Sequence, residues 1–400
     1  MQKLYYSFQN ILWSLIILSG VLNNFINVYL YEFSFSFVVV FVVTIDIIYN
    51  LLSLKKIKIP KNYFNFFLIV LGFYAVILLS LIYSPSPKYK YIKSANFIVS
   101  IIYLIYPFFI RKIDIKKALF LIKFVGLFLS LFYIYQRYNY FLPSNVGRDT
   151  FYAKHRQLSV AYLGLGVLIS ITLLNESFKK NWIQVLLLLF IIIALGSRGS
   201  FVFSIFVLLL FNFKKKYSIK KWFSNGLSFI IIGLVIPIFL SYIDIKKYNI
   251  ASAGISRFNS FLNILNDASV LGRIDYYTYT TKMIFSSLYS ILFGYGIGSY
   301  GVLYVNIDAR KYPHNIFLES WFELGIIGFV LMILIILIPF FIKSKSLLLK
   351  AIYFFLVLSA LKTGNITDLW TLFLTIGLMY MNQENTDYFN FKNILFVKNK

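Results

Sequence analysis

The sequence predicts an all-α membrane protein of about 12 transmembrane helices with one long helical outer (periplasmic) loop. Hydrophobic residues make up 60% of the 400-residue chain and charged residues only 13%, and the mean hydropathy is +0.78. This composition is outside the usual range of soluble domains. Apolar stretches of about 17 to 25 residues, each long enough to cross a bilayer as a helix, recur along the chain. They lack the alternation of a β-barrel, so helices are the predicted spanning elements.

Hydropathy and loop charge predict the spans in order along the chain. The first six lie near residues 11–31, 33–54, 63–83, 95–110, 118–135 and 157–175. Six more lie near residues 182–196, 200–213, 224–243, 316–342, 351–362 and 368–382. Met1 to Lys3 leads into an apolar run of spanning length, which predicts a retained first helix and no cleavable signal peptide. No repeat or linker is evident, so a single polytopic domain over residues 1–400 is expected.

The positions of Lys and Arg predict the orientation. They concentrate in alternate loops, at residues 55–61, 111–117, 179–180, 214–221 and 343–350. These loops and both termini are therefore predicted to be cytoplasmic. The remaining loops face outward, at residues 84–94, 136–156, 197–199, 244–315 and 363–367. These outer loops are basic too, which indicates an anionic ligand. The net charge of +25 is spread over short clusters between apolar spans, a distribution that argues against nucleic-acid binding.

The segment 244–315 is the predicted extramembrane piece that is long enough to hold structure of its own. Loops longer than about 15 residues are usually functional or disordered. The spacing of apolar and aromatic residues within it predicts amphipathic helices that lie on the membrane or on the helix bundle. Examples are Tyr276, Tyr279, Met283 and Ile284. The long outer loop is thus expected to be embedded in the single domain.

Two arginines on the predicted outer side are candidate anion ligands. Arg198 lies in the short run Gly196–Ser200 between two apolar spans. A cation near the apolar boundary is costly and indicates a function, although an arginine that snorkels from a plain hairpin gives the same pattern. Arg273 lies in the long loop and, on a helix, shares a face with Tyr277. A solvated loop arginine is the alternative there.

Two further features flank the predicted span at 316–342. The run Gly294–Gly298 contains three glycines and predicts a tight turn that returns the loop to the bundle, because no strand precedes it as a nucleotide loop requires. Asn315, Glu319 and Glu323 are spaced by four and share one helix face. His314 beside them is a candidate general base, since imidazole exchanges a proton near neutral pH. The alternative is a structural histidine next to an asparagine that caps the helix.

These residues, in this order, resemble the O-antigen ligase and O-antigen polymerase superfamily. The resemblance extends over approximately residues 190–330, and ahead of them it rests on helix number and topology alone. It is carried by Ser197-Arg198-Gly199, Gly272-Arg273, the glycines at 294, 296 and 298, and His314-Asn315 with Leu318, Glu323, Gly325 and Gly328.

The resemblance implies a metal-independent glycosyltransferase of the bacterial inner membrane, with its active site facing the periplasm and no cofactor. The implied donor is an undecaprenyl-diphosphate-linked glycan held among membrane lipids. Arg198 and Arg273 would bind the pyrophosphate, since arginine forks suit its oxygens, and His314 would deprotonate the acceptor hydroxyl. Supporting roles are expected for Asn315, Glu319, Glu323 and Tyr277. No metal site is predicted, because the acidic residues of the long loop show neither paired spacing nor a His cluster.

Within that superfamily we expect a polymerase that joins lipid-linked repeat units of O-antigen or capsule. The chain is rich in Ile, Phe, Tyr, Lys and Asn and in this respect resembles many polymerases. Such an enzyme leaves room for a chain-length regulator as a partner. A ligase, which moves finished polymer onto lipid A core, uses the same donor and chemistry and stays open.

A flippase or transporter of the same lipid-linked glycans is the alternative from a different class. Transporters place ionisable residues near the middle of the membrane on broken helices. Here Asp46 and Lys123 are the only charges that are expected to be clearly buried. The other notable polar residues lie at the predicted outer rim, which favours an enzyme.

Overall fold

The computed structural model describes residues 2–29, 34–53, 58–110, 112–140, 164–179, 181–212, 268–383 and 388–390. Within these ranges the chain is almost entirely helical, which confirms the predicted all-α class. The predicted span at 224–243 and residues 244–267 of the predicted outer loop lie outside the described residues.

The helices follow the predicted spans closely. Those of the first half are α1 (Gln2–Tyr29), α2 (Phe35–Leu52), α3 (Lys61–Ser80), α4 (Tyr89–Ile105), α5 (Ile115–Tyr140), α6 (Gly164–Phe178), α7 (Trp182–Leu195) and α8 (Arg198–Asn212). Those of the second half are α9 (Ala268–Ile284), α10 (Leu288–Phe293), α11 (Ser299–Val305), α12 (Ile316–Leu337), α13 (Leu347–Thr363) and α14 (Trp370–Met381). Short 3-10 helices lie at Tyr106–Phe109, Ile338–Phe341 and Ile366–Asp368. One strand pair, which the sequence did not predict, joins β1 (Lys58–Pro60) to β2 (Tyr388–Asn390) in antiparallel register.

Apolar length identifies the candidate membrane spans. Among the described residues, five segments are long and apolar enough to cross a bilayer: Leu4–Ile26, Phe35–Leu52, Lys61–Ser80, Tyr89–Phe109 and Ile316–Phe341. The shorter helices α6, α7, α8 and α14 are apolar as well. The chain is therefore a helical membrane protein. The count of about 12 spans, their orientation and the single-domain organisation stay predictions.

The chain folds as two compact units. The first unit comprises Met1–Val43 with Ile110–Asn266. In it α1 packs against α5, α5 against α7, and α7 against α8. The buried Asn10 of α1 donates to the backbone oxygen of Lys112 over 2.8 Å and accepts from the backbone N–H of Asp114 over 2.7 Å. Because both bonds reach the residues just before α5, this asparagine fixes where α5 begins.

The second unit comprises Thr44–Phe109 with Asp267–Lys400. Helix α12 packs against α3, α9 and α10, and α4 packs against α14. The buried ring of Phe97 lies 5.2 Å from that of Phe73 and 5.6 Å from that of Phe373, centroid to centroid. These aromatic contacts tie α3, α4 and α14 into one core.

Helix α4 begins six residues before its predicted start at residue 95. Asp308 caps it from a distant part of the chain, accepting from the backbone N–H of Lys88 over 2.8 Å and of Tyr89 over 3.2 Å. A third bond, from the hydroxyl of Ser86, measures 2.5 Å. The early start places Lys93 inside α4, where its side chain is fully buried.

The predicted outer loop contains three helices in its described part, residues 268–315. Helices α9, α10 and α11 occupy it, which confirms the prediction of helices in this segment. Tyr279, Met283 and Ile284 of α9 pack against Tyr300 of α11 and Phe322 of α12. The apolar face of α9 therefore packs inside the second unit, against α11 and α12, which flank His314.

Candidate functional site

Helix α12 is broken near its middle. Gly325 has φ 68° and ψ −167°, which is not helical. Near the break, the backbone oxygen of Phe322 accepts from the N–H of Tyr295 over 2.9 Å, and that of Glu323 accepts from the N–H of Gly296 over 2.8 Å. A buried backbone carbonyl without a partner is costly, so the turn at 294–298 stabilises the break. The predicted tight turn is thus confirmed.

Two glycines allow this turn and the break to touch. A Cβ atom on Gly294, whose φ is 70°, would lie 2.6 Å from the backbone nitrogen of Gly325. A Cβ atom on Gly325 would lie 2.1 Å from the backbone oxygen of Leu292. Backbone atoms cannot move aside as a flexible side chain can, so both positions require glycine. The contact fixes the first part of α12, which carries the candidate residues.

Asn315 is the N-cap of α12. Its side-chain oxygen accepts from the backbone N–H of Phe317 over 2.9 Å and of Leu318 over 3.1 Å. These bonds satisfy two of the N–H groups that a helix start leaves without partners. Asn315 therefore caps α12, and its side-chain oxygen is directed to the helix end.

His314 precedes this cap in an unusual backbone conformation. Its φ of 60° is left-handed, which costs a non-glycine residue about 1 to 3 kcal/mol and persists where the surroundings enforce it. The half-buried imidazole contacts two rings, with centroids 4.5 Å from that of Tyr312 and 5.4 Å from that of Tyr276. Among the described residues, none hydrogen-bonds the imidazole. Ring packing therefore holds the imidazole in place, and the side chain stays partly exposed.

The surroundings keep His314 neutral. Burial, together with the positive charges of Arg273, Lys311 and Arg310, lowers the pKa of its imidazole to about 4. Arg310 also forms an ion pair with Asp368, whereas Arg273 and Lys311 have no carboxylate partner among the described residues. A neutral imidazole can accept a proton, and the cations beside it attract anions. The site can thus combine a base with anion binding.

Arg273 and Tyr277 lie on α9, as the helical interpretation predicted. Both side chains are partly exposed. The ring that contacts His314 is that of Tyr276, one residue before Tyr277. Residue order alone cannot distinguish these adjacent tyrosines, because which of them contacts His314 depends on how α9 is rotated against α12.

Arg198 begins α8 in the first unit, directly after the predicted hairpin turn. Gly196 ends α7 in the left-handed conformation, with φ 67°, as helix ends commonly do. The buried hydroxyls of Ser197 and Ser200 lie 2.8 Å apart and hydrogen-bond each other. A Cβ atom on Gly166 would lie 2.4 Å from the Ser197 hydroxyl oxygen, so α6 approaches this turn closely. The predicted hairpin is confirmed.

Glu319 and Glu323 face the interior of the second unit. Lys93 Nζ lies 2.5 Å from Glu319 Oε1 and 2.7 Å from Glu323 Oε2, and all three side chains are 0% exposed. The backbone N–H of Ile366 donates to Glu319 Oε2 over 2.9 Å. These carboxylates bind a lysine of the same chain, so they are not open ligands for a substrate at the protein surface.

The expectation that Asp46 and Lys123 are the only clearly buried charges is wrong. Lys93, Glu319 and Glu323 are fully buried, whereas the Lys123 side chain is 21% exposed and pairs with Glu176. The sequence analysis missed Lys93 because its carboxylate partners lie 226 and 230 residues further along the chain. Among the described residues, no group of three or more His, Cys, Asp or Glu side chains could hold a metal ion.

A comparison with protein families gives one match. Residues 183–333 match the model of the O-antigen ligase family. The matched range contains Arg198, Arg273, His314, Glu319 and Glu323 and nearly coincides with the stretch that carries the sequence resemblance. No curated protein matches the chain.

Proposed function

We propose that this protein is a metal-independent membrane glycosyltransferase. The match of residues 183–333 to the O-antigen ligase family supports membership of the O-antigen polymerase and ligase superfamily. The protein polymerises undecaprenyl-diphosphate-linked repeat units of O-antigen or capsule at the outer face of the inner membrane. The observation that carries this proposal is the neutral imidazole of His314, which packs on two tyrosine rings beside Arg273 and Lys311.

The proposed reaction transfers a glycan from a pyrophosphate oxygen of the donor to a hydroxyl oxygen of the acceptor. The acceptor sugar hydroxyl attacks the anomeric carbon of the donor, and a new C–O bond forms. The bond between that carbon and the pyrophosphate oxygen breaks, and the oxygen keeps the electron pair. His314 takes the hydroxyl proton, as a general base positioned next to its substrate does. A single attack from the face opposite the leaving group inverts the anomeric centre.

The leaving group is undecaprenyl diphosphate, and its developing charge needs stabilisation. Without a metal, fixed cations must supply it. Arg273 is close enough to His314 to lower the imidazole pKa, and an anion there would occupy the same positive field. A guanidinium fork matches two phosphate oxygens at once. Arg198 has the second pyrophosphate-binding role on the strength of the sequence resemblance.

The decisive experiment is a gel profile of surface polysaccharide from a deletion strain. The strain is complemented with wild-type protein or with His314→Ala at matched membrane abundance. If the lipid A core of the deletion strain carries a single repeat unit, the result supports assignment as a polymerase. A normal ladder from the His314→Ala strain would exclude the catalytic role of His314.

A ligase is the second candidate, and the description of the matching family favours it. The donor and the chemistry are the same, and only the acceptor differs. In the same gel, a ligase predicts bare core in the deletion strain, with long polymer left on the lipid carrier.

A transporter of lipid-linked glycans gains one argument from the structure. The buried charges of Lys93, Glu319 and Glu323 and the broken helix α12 are features that transporters share. A transporter needs no base at His314, so His314→Ala should fully complement the deletion strain if the protein is a transporter. If the protein is an enzyme, His314→Ala should not complement it.

A further inference from the structure

The ion cluster inside the second unit is unbalanced in charge. Lys93 carries one positive charge and faces two carboxyl groups, those of Glu319 and Glu323. With all three groups ionised, a fully buried cluster would hold a net negative charge. Burying an uncompensated charge is far more costly than burying a neutral polar group. A proton on one of the carboxyl groups removes this excess charge.

Hydrogen bonding distinguishes the two glutamates. Glu319 accepts through both oxygens, from Lys93 at Oε1 and from the backbone N–H of Ile366 at Oε2. Glu323 accepts from Lys93 at Oε2 only. Its Oε1 is buried and has no hydrogen-bond partner in the part of the chain that the structure describes. A proton on Oε1 of Glu323 displaces no hydrogen bond made by the described residues, whereas a proton on Glu319 would compete with one that is already made. The proton therefore belongs on Glu323.

We propose that Lys93, Glu319 and Glu323 form a neutral triad with one proton on Glu323, and that this triad positions His314 for its reaction. The positioning part rests on the proposed function. Glu319 lies in the first turn of α12, and its backbone N–H donates to the backbone oxygen of Asn315 over 2.9 Å. Through Glu319, Lys93 of α4 and the backbone of Ile366 therefore hold the first turn of α12, which begins just after His314 and Asn315.

The two glutamates provide a matched pair of substitutions. Glutamine has the shape of a protonated glutamate, so Glu323→Gln should keep the cluster neutral and keep the melting temperature close to that of wild type. Glu319→Gln places an amide N–H₂ against either the Lys93 ammonium or the Ile366 N–H, where two donors meet. It should lower kcat about tenfold or more per folded molecule, since small misplacements of a base are costly, with KM nearly unchanged.

The measurement uses purified full-length protein, with folded fraction determined by thermal melting in detergent. If the triad is purely structural, Glu319→Gln should have a lower melting temperature but an unchanged kcat per folded molecule. That result would overturn the positioning role. Should Glu319→Gln not accumulate, Glu319→Asp keeps the charge, shortens the reach to Lys93, and should show the same fall in kcat. A Glu323→Gln protein that misfolds, or whose melting temperature falls as far as that of Glu319→Gln, would overturn the assignment of the proton.

Infrared difference spectroscopy tests the proton without any catalytic assay. The carbonyl stretch of a protonated carboxylic acid should be present in wild type and absent in Glu323→Gln. No difference between these spectra would mean that Glu323 does not carry the proton, and the proposal would be wrong. A wrong proposed function would be shown by a different experiment, in which His314→Ala is active. That outcome would leave the infrared result unchanged.

Discussion

At the scale of single residues, the protonation of His314 sets the expected pH dependence. Burial and the charges of Arg273, Lys311 and Arg310 lower its pKa to about 4. The neutral, proton-accepting form then persists at lower pH than in an ordinary histidine, whose pKa is about 6.5. We expect the acidic limb of kcat/KM, which reports the free enzyme, to have its midpoint near pH 4. Steady-state kinetics of the purified protein across the acidic range provide the measurement.

A charge variant provides the control for that profile. Lys311→Gln removes one of the cations that lower the His314 pKa, so its acidic midpoint should lie at higher pH than that of wild type. The shift is expected to be small, because burial is the larger cause. A wild-type midpoint at the ordinary histidine value would contradict the electrostatic account of the site.

Arg273 is expected to act through its shape as well as its charge. Lysine retains the charge at this position but cannot form two parallel bonds to a pyrophosphate. Arg273→Lys should therefore lose most of the activity, roughly 10-fold or more, as expected when one charge-assisted bond to the leaving group is lost. Lys282→Gln is the control, since it removes an exposed cation from the last turn of the same helix. Turnover near wild type in purified Arg273→Lys would remove the pyrophosphate role.

At the scale of elements, α12 is a helix that must break to fit. A Cβ atom on Gly325 would meet the backbone oxygen of Leu292 at 2.1 Å and the backbone carbon of Phe293 at 2.7 Å. Its φ of 68° is also unfavourable for alanine. Gly325→Ala should destabilise the protein by more than about 2 kcal/mol. Thermal melting in detergent would show this as a large fall in Tm.

Gly72 in α3 is the matched control for this substitution. Among the described residues, no atom outside the local backbone of α3 lies within 4 Å of a Cβ added there, and alanine is preferred to glycine inside a helix by about 0.5 to 1 kcal/mol. Gly72→Ala should therefore keep or raise the Tm. Equal effects of the two substitutions would mean that the close contact between α12 and the turn at 294–298 does not exist in the membrane.

At the scale of the whole molecule, local patterns predicted local structure and failed where a partner is distant in sequence. The apolar runs predicted most of the helices, and the three glycines at 294, 296 and 298 predicted their turn. The start of α4 was missed because Asp308, which caps it, lies 220 residues beyond Lys88. Hydropathy also assigns Lys93 to a loop, because a lysine lowers the hydropathy of a segment even when carboxylate partners elsewhere in the chain neutralise its charge.

The candidate site shows the same division. His314 and Arg273 were identified from residue type and order. The contact of Tyr276 with His314, in contrast, depends on the rotation of α9, and the break at Gly325 depends on the turn that packs against it. Neither can be inferred from local composition, because a glycine in an apolar helix and a break in that helix give the same sequence pattern.

Whether activity requires a metal ion is a question about the whole molecule, because the answer depends on which groups carry the charge of the leaving pyrophosphate. If fixed cations such as Arg273 stabilise the leaving pyrophosphate, the purified protein should keep its activity in detergent or nanodiscs when EDTA is present. A magnesium-dependent enzyme would lose activity with EDTA and regain it with excess magnesium, because the ion would carry the pyrophosphate charge. The Arg273→Lys protein extends the test. If magnesium restores its turnover, a metal can replace the guanidinium, and if not, the fork geometry of arginine is required.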